Sequence, residues 1–393
     1  MDIDGDAMTL NEERRNTPDE RVRARALGIA IGRLTPGPWN AIADVPGVRV
    51  EHTTLIAGEG PLVVGRGPVR TGVTVVAPHE GDVGADPVFA GAHVLNGNGE
   101  MTGLAWVRES GLLTTPVTLT NTHSVGVARD AVIAYDIARS GGRPALAWSL
   151  PVVAETWDGF LSDINGMHVR PEHVHAALDA ATGGAVAEGC VGGGTGMICH
   201  GFKGGIGTAS RVLPASDGGW VVGALVQANH GQRALLRVDG APVGRDIGPD
   251  EVPTPRMTVA PGGGSIIVVV ATNAPLLPDQ CRRLARRATI GVARGGGLGE
   301  DSSGDIFLAF STANRGLGGQ GDDGEGRSER RAAETIDVRM LPHESLTPLF
   351  EATAEATEEA IVNALCMATT MTGIDGRTAY ALPLDRLRAL MRR

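Results

Sequence analysis

The residues Pro261-Gly262-Gly263-Gly264-Ser265 run directly into Ile266-Ile267-Val268-Val269-Val270. A glycine turn therefore delivers a serine to the first position of a β-branched, strand-like run. Glycine leaves its own carbonyl open to attack and tolerates the backbone geometry that an acyl shift requires. Attack of Ser265 on the Gly264 carbonyl would break the chain and leave Ser265 with a free α-amino group. The unperturbed pKa of such an amine is about 7.7–8.0, so it can act as base for its own hydroxyl near neutral pH. Taken alone, the motif fits a glycine-rich hairpin turn better than a nucleophile.

Other segments bear on the choice. The glycine-rich stretch from Cys190 to Gly207 lacks the Gly-Lys-Ser/Thr ending of a phosphate loop, and its glycines miss the dinucleotide spacing. Gln227-Ala228-Asn229-His230-Gly231 ends an apolar run with an amide that could face a developing oxyanion. Ser302-Ser303-Gly304-Asp305 places a hydroxyl and a carboxylate two residues apart, ahead of another strand. Glu155 follows the apolar run Leu150 to Ala154, which would present its carboxylate at the mouth of a largely apolar pocket. Glu100, after a glycine turn, either shapes that pocket or caps a helix.

His173 and His175 fall on different faces of one helical turn and read as surface residues rather than metal ligands. His123 and His200 fit hydrogen-bonded structural histidines better than the alternative, that either lines the site. No set of His, Cys, Asp and Glu has ligand spacing, so neither metal nor cofactor is expected, and activity should survive chelation.

The elements that would position these residues are legible from periodicity. Strands are expected at residues 48–52, 72–77, 115–120, 145–153, 220–228, 265–271 and 306–310. Helices are expected from Ser124 as cap to Gly141, from Pro171 to Ala181, from Asp279 to about Ala288, and from Thr347 to Gly373. Buried strands and one-sided helices imply stacked layers. Residues 1–25 read as a disordered arm, and 315–334, nearly without apolar residues, as a surface loop or disordered excursion.

Composition narrows the class. Of 393 residues, 42% are apolar and 20% charged, which allows a sizeable core. A net charge of -10 leaves no basic footprint for nucleic acid, and Arg282 to Arg287 reads as a solvated helix face. Four dispersed cysteines, Cys190, Cys199, Cys281 and Cys366, argue against a disulfide framework. With no signal-like or membrane-length apolar run, the expected location is cytoplasmic.

Six blocks in shared order carry a resemblance: Leu95 to Glu100, Asn121-Thr122-His123-Ser124, Val153 to Thr156, Gly192 to Arg211, Gly264-Ser265, and Ser303-Gly304-Asp305. From about Arg25 to the C-terminus the chain resembles the DmpA/BapA family, the self-cleaving L-aminopeptidase/D-Ala-esterase/amidase and β-peptidyl aminopeptidase group. The resemblance implies a four-layer αββα sandwich, akin to N-terminal nucleophile hydrolases but differently connected, formed by residues 26–393 as a single catalytic domain. It implies cleavage into 1–264 and 265–393, and a homo-oligomer of processed pairs, a tetramer.

Position by position, Ser265 matches the family nucleophile and Asn229 the oxyanion amide. Ser303 matches the orienting second serine and Asp305 its acidic partner. Glu155 matches the carboxylate that holds a substrate's free ammonium. Trp157 stands where a tyrosine hydroxyl assists in part of the family, and its indole can donate but not accept, so it is read as a pocket residue. The expected substrates are small peptides, amides or esters with a free amine. The competing readings are an acyltransferase of the ornithine-acetyltransferase type, which characteristically exposes threonine rather than serine, and a non-catalytic binding protein of the same fold.

Overall fold

Two β-sheets carry the β-branched runs in the computed structural model, which describes residues 21–139, 148–255, 264–318 and 335–392. The first has four strands, β1 (Arg49–Ala57), β2 (Val69–Ala77), β5 (Val117–Asn121) and β6 (Val152–Thr156), in the order β1-β2-β5-β6. The second has six. They are β3 (Val88–Gly97), β4 (Leu112–Leu113), β9 (Gly205–Val212), β10 (Val221–Asn229), β11 (Ser265–Thr272) and β12 (Gly304–Ser311), in the order β4-β3-β12-β11-β10-β9. A two-stranded ribbon, β7 (Ile198–Cys199) with β8 (Phe202–Lys203), sits beside the end of β10.

Side-chain alternation along β11 divides the interior. Ile267, Val269 and Ala271 face Val76, Leu119 and Ala154 of the first sheet, forming the core between the sheets. Ile266, Val268 and Val270 point the other way. They pack with residues of helices α3 (Pro278–Arg294) and α4 (Thr347–Met367), among them Leu284, Ala288, Ala356 and Ile361. On the far face of the first sheet, Val73, Val75 and Val153 meet Ala128 and Val132 of α1 (Val125–Arg139) and Val174 of α2 (Pro171–Ala180). The layer order is helices, sheet, sheet, helices, which is the expected αββα sandwich. No described helix is long and apolar enough to cross a membrane.

Several local expectations are corrected. Strands β3 and β9 were not anticipated. β9 is glycine-rich because α4 lies against it: a Cβ on Gly207 would sit 1.9 Å from the Ala360 carbonyl oxygen. The strand expected at 145–153 is instead Val152–Thr156, so Glu155 lies within β6 rather than beyond it, while 140–147 fall outside the described residues. The cap before α1 is Asn121, whose side chain accepts from the Ser124 amide, not Ser124 itself. Helix α3 runs on to Arg294, and α4 ends at Met367, short of Gly373.

Of the arm expected to be disordered, residues 21–25 are seated. Arg21 donates to the Leu365, Cys366 and Leu382 carbonyls, and Arg23 and Arg25 pair with buried Glu188 and Glu359. Residues 1–20 lie outside the described residues, as do 319–334 of the expected surface loop.

Candidate active site

Ser265 is the first residue of β11, and sheet register fixes its neighbours. It lies opposite Asn229, the last residue of β10, and opposite Gly304, the first of the parallel strand β12. The parallel pair requires a crossover, which helix α3 supplies. Three strand ends thus converge at one edge of the six-stranded sheet, and all three residues are buried.

The carbonyl before Ser265 is held by two donors. Ser265 Oγ donates to the Gly264 carbonyl oxygen at 2.7 Å. The Gly304 N–H lies 3.2 Å from that same oxygen and 3.1 Å from Ser265 Oγ, so one backbone donor faces both. A Cβ on Gly264 would lie 2.4 Å from the Asn229 carbonyl oxygen, so only glycine fits without displacing the end of β10.

Asn229 is clamped at both ends of its amide. Its Oδ1 accepts from the Ile198 N–H at 2.8 Å, and its Nδ2 donates to the Trp157 carbonyl at 3.1 Å. The amide orientation is set by this pair, which leaves one Nδ2 hydrogen for a further acceptor. Trp157 therefore meets Asn229 through its backbone. Its ring packs with Phe160, Leu161, Met371 and Ile198 in a small apolar cluster.

Ser303 Oγ donates to Asp305 Oδ1 at 2.6 Å. Burial pushes the Asp305 carboxyl up to about 6, against the opposing pull of the Ser303 hydroxyl and the Ile266 amide. The Asn96–Asn98 segment holds this turn in place. Asn98 donates to the Ser302 and Ser303 carbonyls, and Asn96 to those of Glu300 and Ser303.

Glu155, on the other sheet, reaches the same edge. The Glu100 N–H donates to its Oε1 at 2.9 Å, and the Thr122 hydroxyl donates to Oε2. Gly99 lies between this carboxylate and β12: a Cβ there would be 3.2 Å from Glu155 Oε1 and 3.0 Å from the Gly304 Cα. Burial raises the Glu155 carboxyl above the usual glutamate range, and the neighbouring Glu100 charge adds to the rise. Asp158 lies behind, fully buried, accepting from Asn121 Nδ2 at 3.0 Å, with its carboxyl raised by burial to about 7.

The structure thus brings Ser265, Asn229, Ser303, Asp305, Glu155 and Trp157 into one region, where a hydroxyl, a free amide hydrogen, a backbone donor and two carboxylates lie at the strand ends around the Gly264 carbonyl. Sequence reading gave no role to the Gly304 N–H, the Thr122 hydroxyl, Gly99 or Asp158. It also left Cys199, His200 and His230 apart, whereas their candidate ligand atoms lie within 4.8 Å of one another. His173 and His175 make separate contacts, with the Arg170 amide and the Ala131 carbonyl.

Comparison with known proteins decides the family. The model of peptidase family S58 matches residues 40–379. The chain belongs to peptidase family S58. It is 50% identical to the β-peptidyl aminopeptidase BapA of Sphingosinicella microcystinivorans over 95% of this chain and 93% of that protein. A solved Burkholderia β-aminopeptidase superposes with a TM-score of 0.86 at 54% identity, covering 94% of this chain and 98% of the other. The L-aminopeptidase D-Ala-esterase/amidase of Ochrobactrum anthropi, a variant of the Ntn hydrolase fold, gives 0.83 at 45% identity, covering 94% and 98%. This S58 chain is accordingly a hydrolase of the aminopeptidase type with the DmpA-like αββα fold.

The charge states of the site set an expected pH profile for an S58 enzyme built this way. Ionised, Asp305 gives the Ser303 hydroxyl a charge-assisted acceptor, and its value of about 6 means that this charge is lost as pH falls through 6. A free Ser265 amine must be neutral to act as base, which favours pH above about 7.7–8.0. Measured from pH 5 to 9, kcat/KM should therefore fall about tenfold per unit below about 7.7 and about a hundredfold per unit below 6. A profile flat from pH 5 upward would exclude Asp305 from the reaction.

Proposed function

We propose that this chain cleaves itself between Gly264 and Ser265 and then works as an N-terminal-serine aminopeptidase on small amides, peptides or esters. The observation that carries the reading is the Gly264 carbonyl oxygen, which accepts both from the Ser265 hydroxyl and from the Gly304 N–H. In self-cleavage Ser265 Oγ forms a bond to the Gly264 carbonyl carbon as the Gly264–Ser265 C–N bond breaks. The hydroxyl proton passes to the departing nitrogen. Water then hydrolyses the resulting ester, leaving a Gly264 carboxylate and a free Ser265 amine.

In turnover that amine removes the Ser265 hydroxyl proton, Oγ adds to the substrate carbonyl, and the free Asn229 Nδ2 hydrogen with the Gly304 N–H receives the oxyanion. Ser303, held by Asp305, orients the nucleophile and its amine. The leaving amine takes the proton, and water discharges the acyl-enzyme. Donors of the Asn229 kind are worth about 10²–10³ in turnover where measured in other enzymes. Glu155 anchors the substrate ammonium, and the Trp157 ring walls the side-chain pocket.

The relatives named for β-peptides support β-aminoacyl substrates among those accepted. A panel of β-homoalanyl, L-alanyl and D-alanyl p-nitroanilides, each free and N-acetylated, tests this. The free β-homoalanyl amide should be cleaved and its acetylated form should be at least about 100-fold slower, since it cannot make the charge-assisted contact. Equal rates on the two forms would refute the aminopeptidase assignment of the site.

The proposal extends to assembly as a homo-oligomer, a tetramer of processed pairs. An exposed apolar tip, Leu62-Val63-Val64, between β1 and β2 supplies surface for it. Light scattering that gave a fully active monomer would rule the assembly out.

A further inference from the structure

Cys199, His200 and His230 form a buried cluster that the proposed reaction does not use. The three residues are fully or almost fully buried, and their candidate ligand atoms lie within 4.8 Å of one another. Cys199 Sγ is 3.8 Å from His230 Nδ1, and the two imidazoles meet edge to face with ring centres 5.1 Å apart. Local backbone brings them together. His200 has a left-handed φ of 50°, which breaks the strand alternation that would send its side chain away from that of Cys199. Its N–H donates to the His230 carbonyl at 2.7 Å, tying the β7 end to the β10 end.

The protonation pattern suits ligation. His200 Nδ1 lies 3.0 Å from the Gln232 carbonyl, which can only accept, so Nδ1 carries the hydrogen and Nε2 the lone pair. That Nε2 is buried without a partner. A ring nitrogen donating to a backbone carbonyl while its other nitrogen stays open is how metal-binding histidines are usually held. Sulfur and nitrogen ligands on one closed-shell ion lie roughly 3.6–3.8 Å apart for bond lengths near 2.3 and 2.0 Å, which matches the 3.8 Å from Cys199 Sγ to His230 Nδ1, so His230 would ligate through Nδ1 and His200 through Nε2.

We propose that Cys199, His200 and His230 hold one thiophilic d10 cation, copper(I) in preference to zinc. The charge surroundings choose between them. The Arg233 guanidinium donates to the His200 and Gly201 carbonyls, and the Lys203 ammonium is buried next to the same ribbon. Among the described residues, no carboxylate bears electrostatically on the three ligands. A thiolate with a monovalent ion is neutral, whereas zinc would leave a net positive charge beside two buried cations. Sulfur and imidazole ligands without oxygen also suit copper(I). On binding, the Cys199 S–H bond breaks, an S–Cu bond forms, the proton leaves to solvent and no electron is transferred. The ion clips the β7–β8 ribbon to the strand end that carries Asn229 and takes no part in the hydrolysis.

The test uses the full chain expressed in medium supplemented with both copper and zinc, desalted, with metals counted per chain. The same protein, freed of metal, is then titrated with copper(I) against bicinchoninate under ascorbate. One copper per chain is expected, with uptake reduced at least about tenfold in Cys199→Ser and His230→Gln and unchanged in Cys281→Ser, whose thiol donates to the Phe89 carbonyl. X-ray absorption on the wild type should show one sulfur and two nitrogen neighbours, which decides the matter even if a variant fails to fold. Absence of stoichiometric copper, full retention of it by Cys199→Ser, or one equivalent of zinc in its place would each overturn the proposal.

Discussion

Ser265→Ala is expected to yield a single chain of 393 residues on a denaturing gel and to have no measurable aminopeptidase activity. Wild type should give two associated fragments, 1–264 and 265–393, the second beginning Ser-Ile-Ile-Val. One atom explains both losses. Ser265 Oγ is hydrogen-bonded to the Gly264 carbonyl oxygen of the bond to be cut, and the same Oγ would carry the acyl group in turnover. Loss of a serine nucleophile in other hydrolases costs about 10⁶ in turnover, so residual activity should fall below detection. The fold itself should survive. The Oγ contacts are made with two backbone groups of the same strand ends, which remain paired through the β11–β12 ladder.

Intact mass separates the possible outcomes. An uncleaved Ser265→Ala with native oligomer size and thermal stability would assign the cut to this serine. Cleavage of the variant at the same bond, or an active wild type whose small fragment starts elsewhere, would defeat both the processing scheme and the nucleophile. Ser265→Cys provides a positive control, because a thiol keeps a nucleophile at the same position.

Positions that follow from local sequence were legible; contacts that depend on two distant elements meeting were not. The turn before Ser265 and the β-branched run after it place the serine at a strand start, as the structure does, although that motif alone fitted a hairpin turn better than a nucleophile. Asn229 closes its strand one residue beyond the expected end, and Asp305, expected just ahead of a strand, is the second residue of β12. Strand β9 was hidden because Gly205 and Gly207 suggest a turn. Their reason is tertiary: Gly207 admits the backbone of α4, an element that begins 140 positions later. Strand β3 was missed because its run, broken by Gly91 and ending in Asn96-Gly97, alternates poorly. Gly91 is there because a Cβ would strike the Arg282 backbone of α3 at 2.3 Å.

The site's supporting groups are non-local in the same way. Thr122 meets Glu155 only because β5 and β6 run in parallel and in register, Asn121 beside Thr156. The Cys199–His200–His230 cluster needs a left-handed residue that no spacing rule exposes. The resemblance to a known family supplied the correct four layers. It could not supply the donors around Glu155, because these are backbone groups and a threonine hydroxyl rather than signature residues.

Glu155→Gln is expected to process normally between Gly264 and Ser265 and yet to lose about 10²–10³ in kcat/KM toward substrates with a free amine. The size is that of removing one partner from a buried, hydrogen-bonded charge pair, about 2–5 kcal/mol. The substitution is nearly isosteric. Its carbonyl oxygen can still accept from the Glu100 N–H, and its amide can donate to the Thr122 oxygen, so the packing around position 155 has no reason to change.

Self-cleavage presents no ammonium to bind, because Gly264 is still joined to Gly263, so the charge at 155 is irrelevant to it. Turnover differs. A substrate ammonium enters a region where Glu155 is already desolvated and Glu100 adds a second negative charge. That environment strengthens the contact when Glu155 is ionised and raises the pH at which it becomes neutral. As pH falls through this raised value the wild type should come to resemble Glu155→Gln, with KM rising more than kcat falls. The variant should lack that acid limb while keeping the one assigned to Asp305. On N-acetylated amides the two proteins should be equally slow, since neither has an ammonium to hold. Full activity of Glu155→Gln on free amines, or a failure to process, would show that the carboxylate serves the structure and not the substrate.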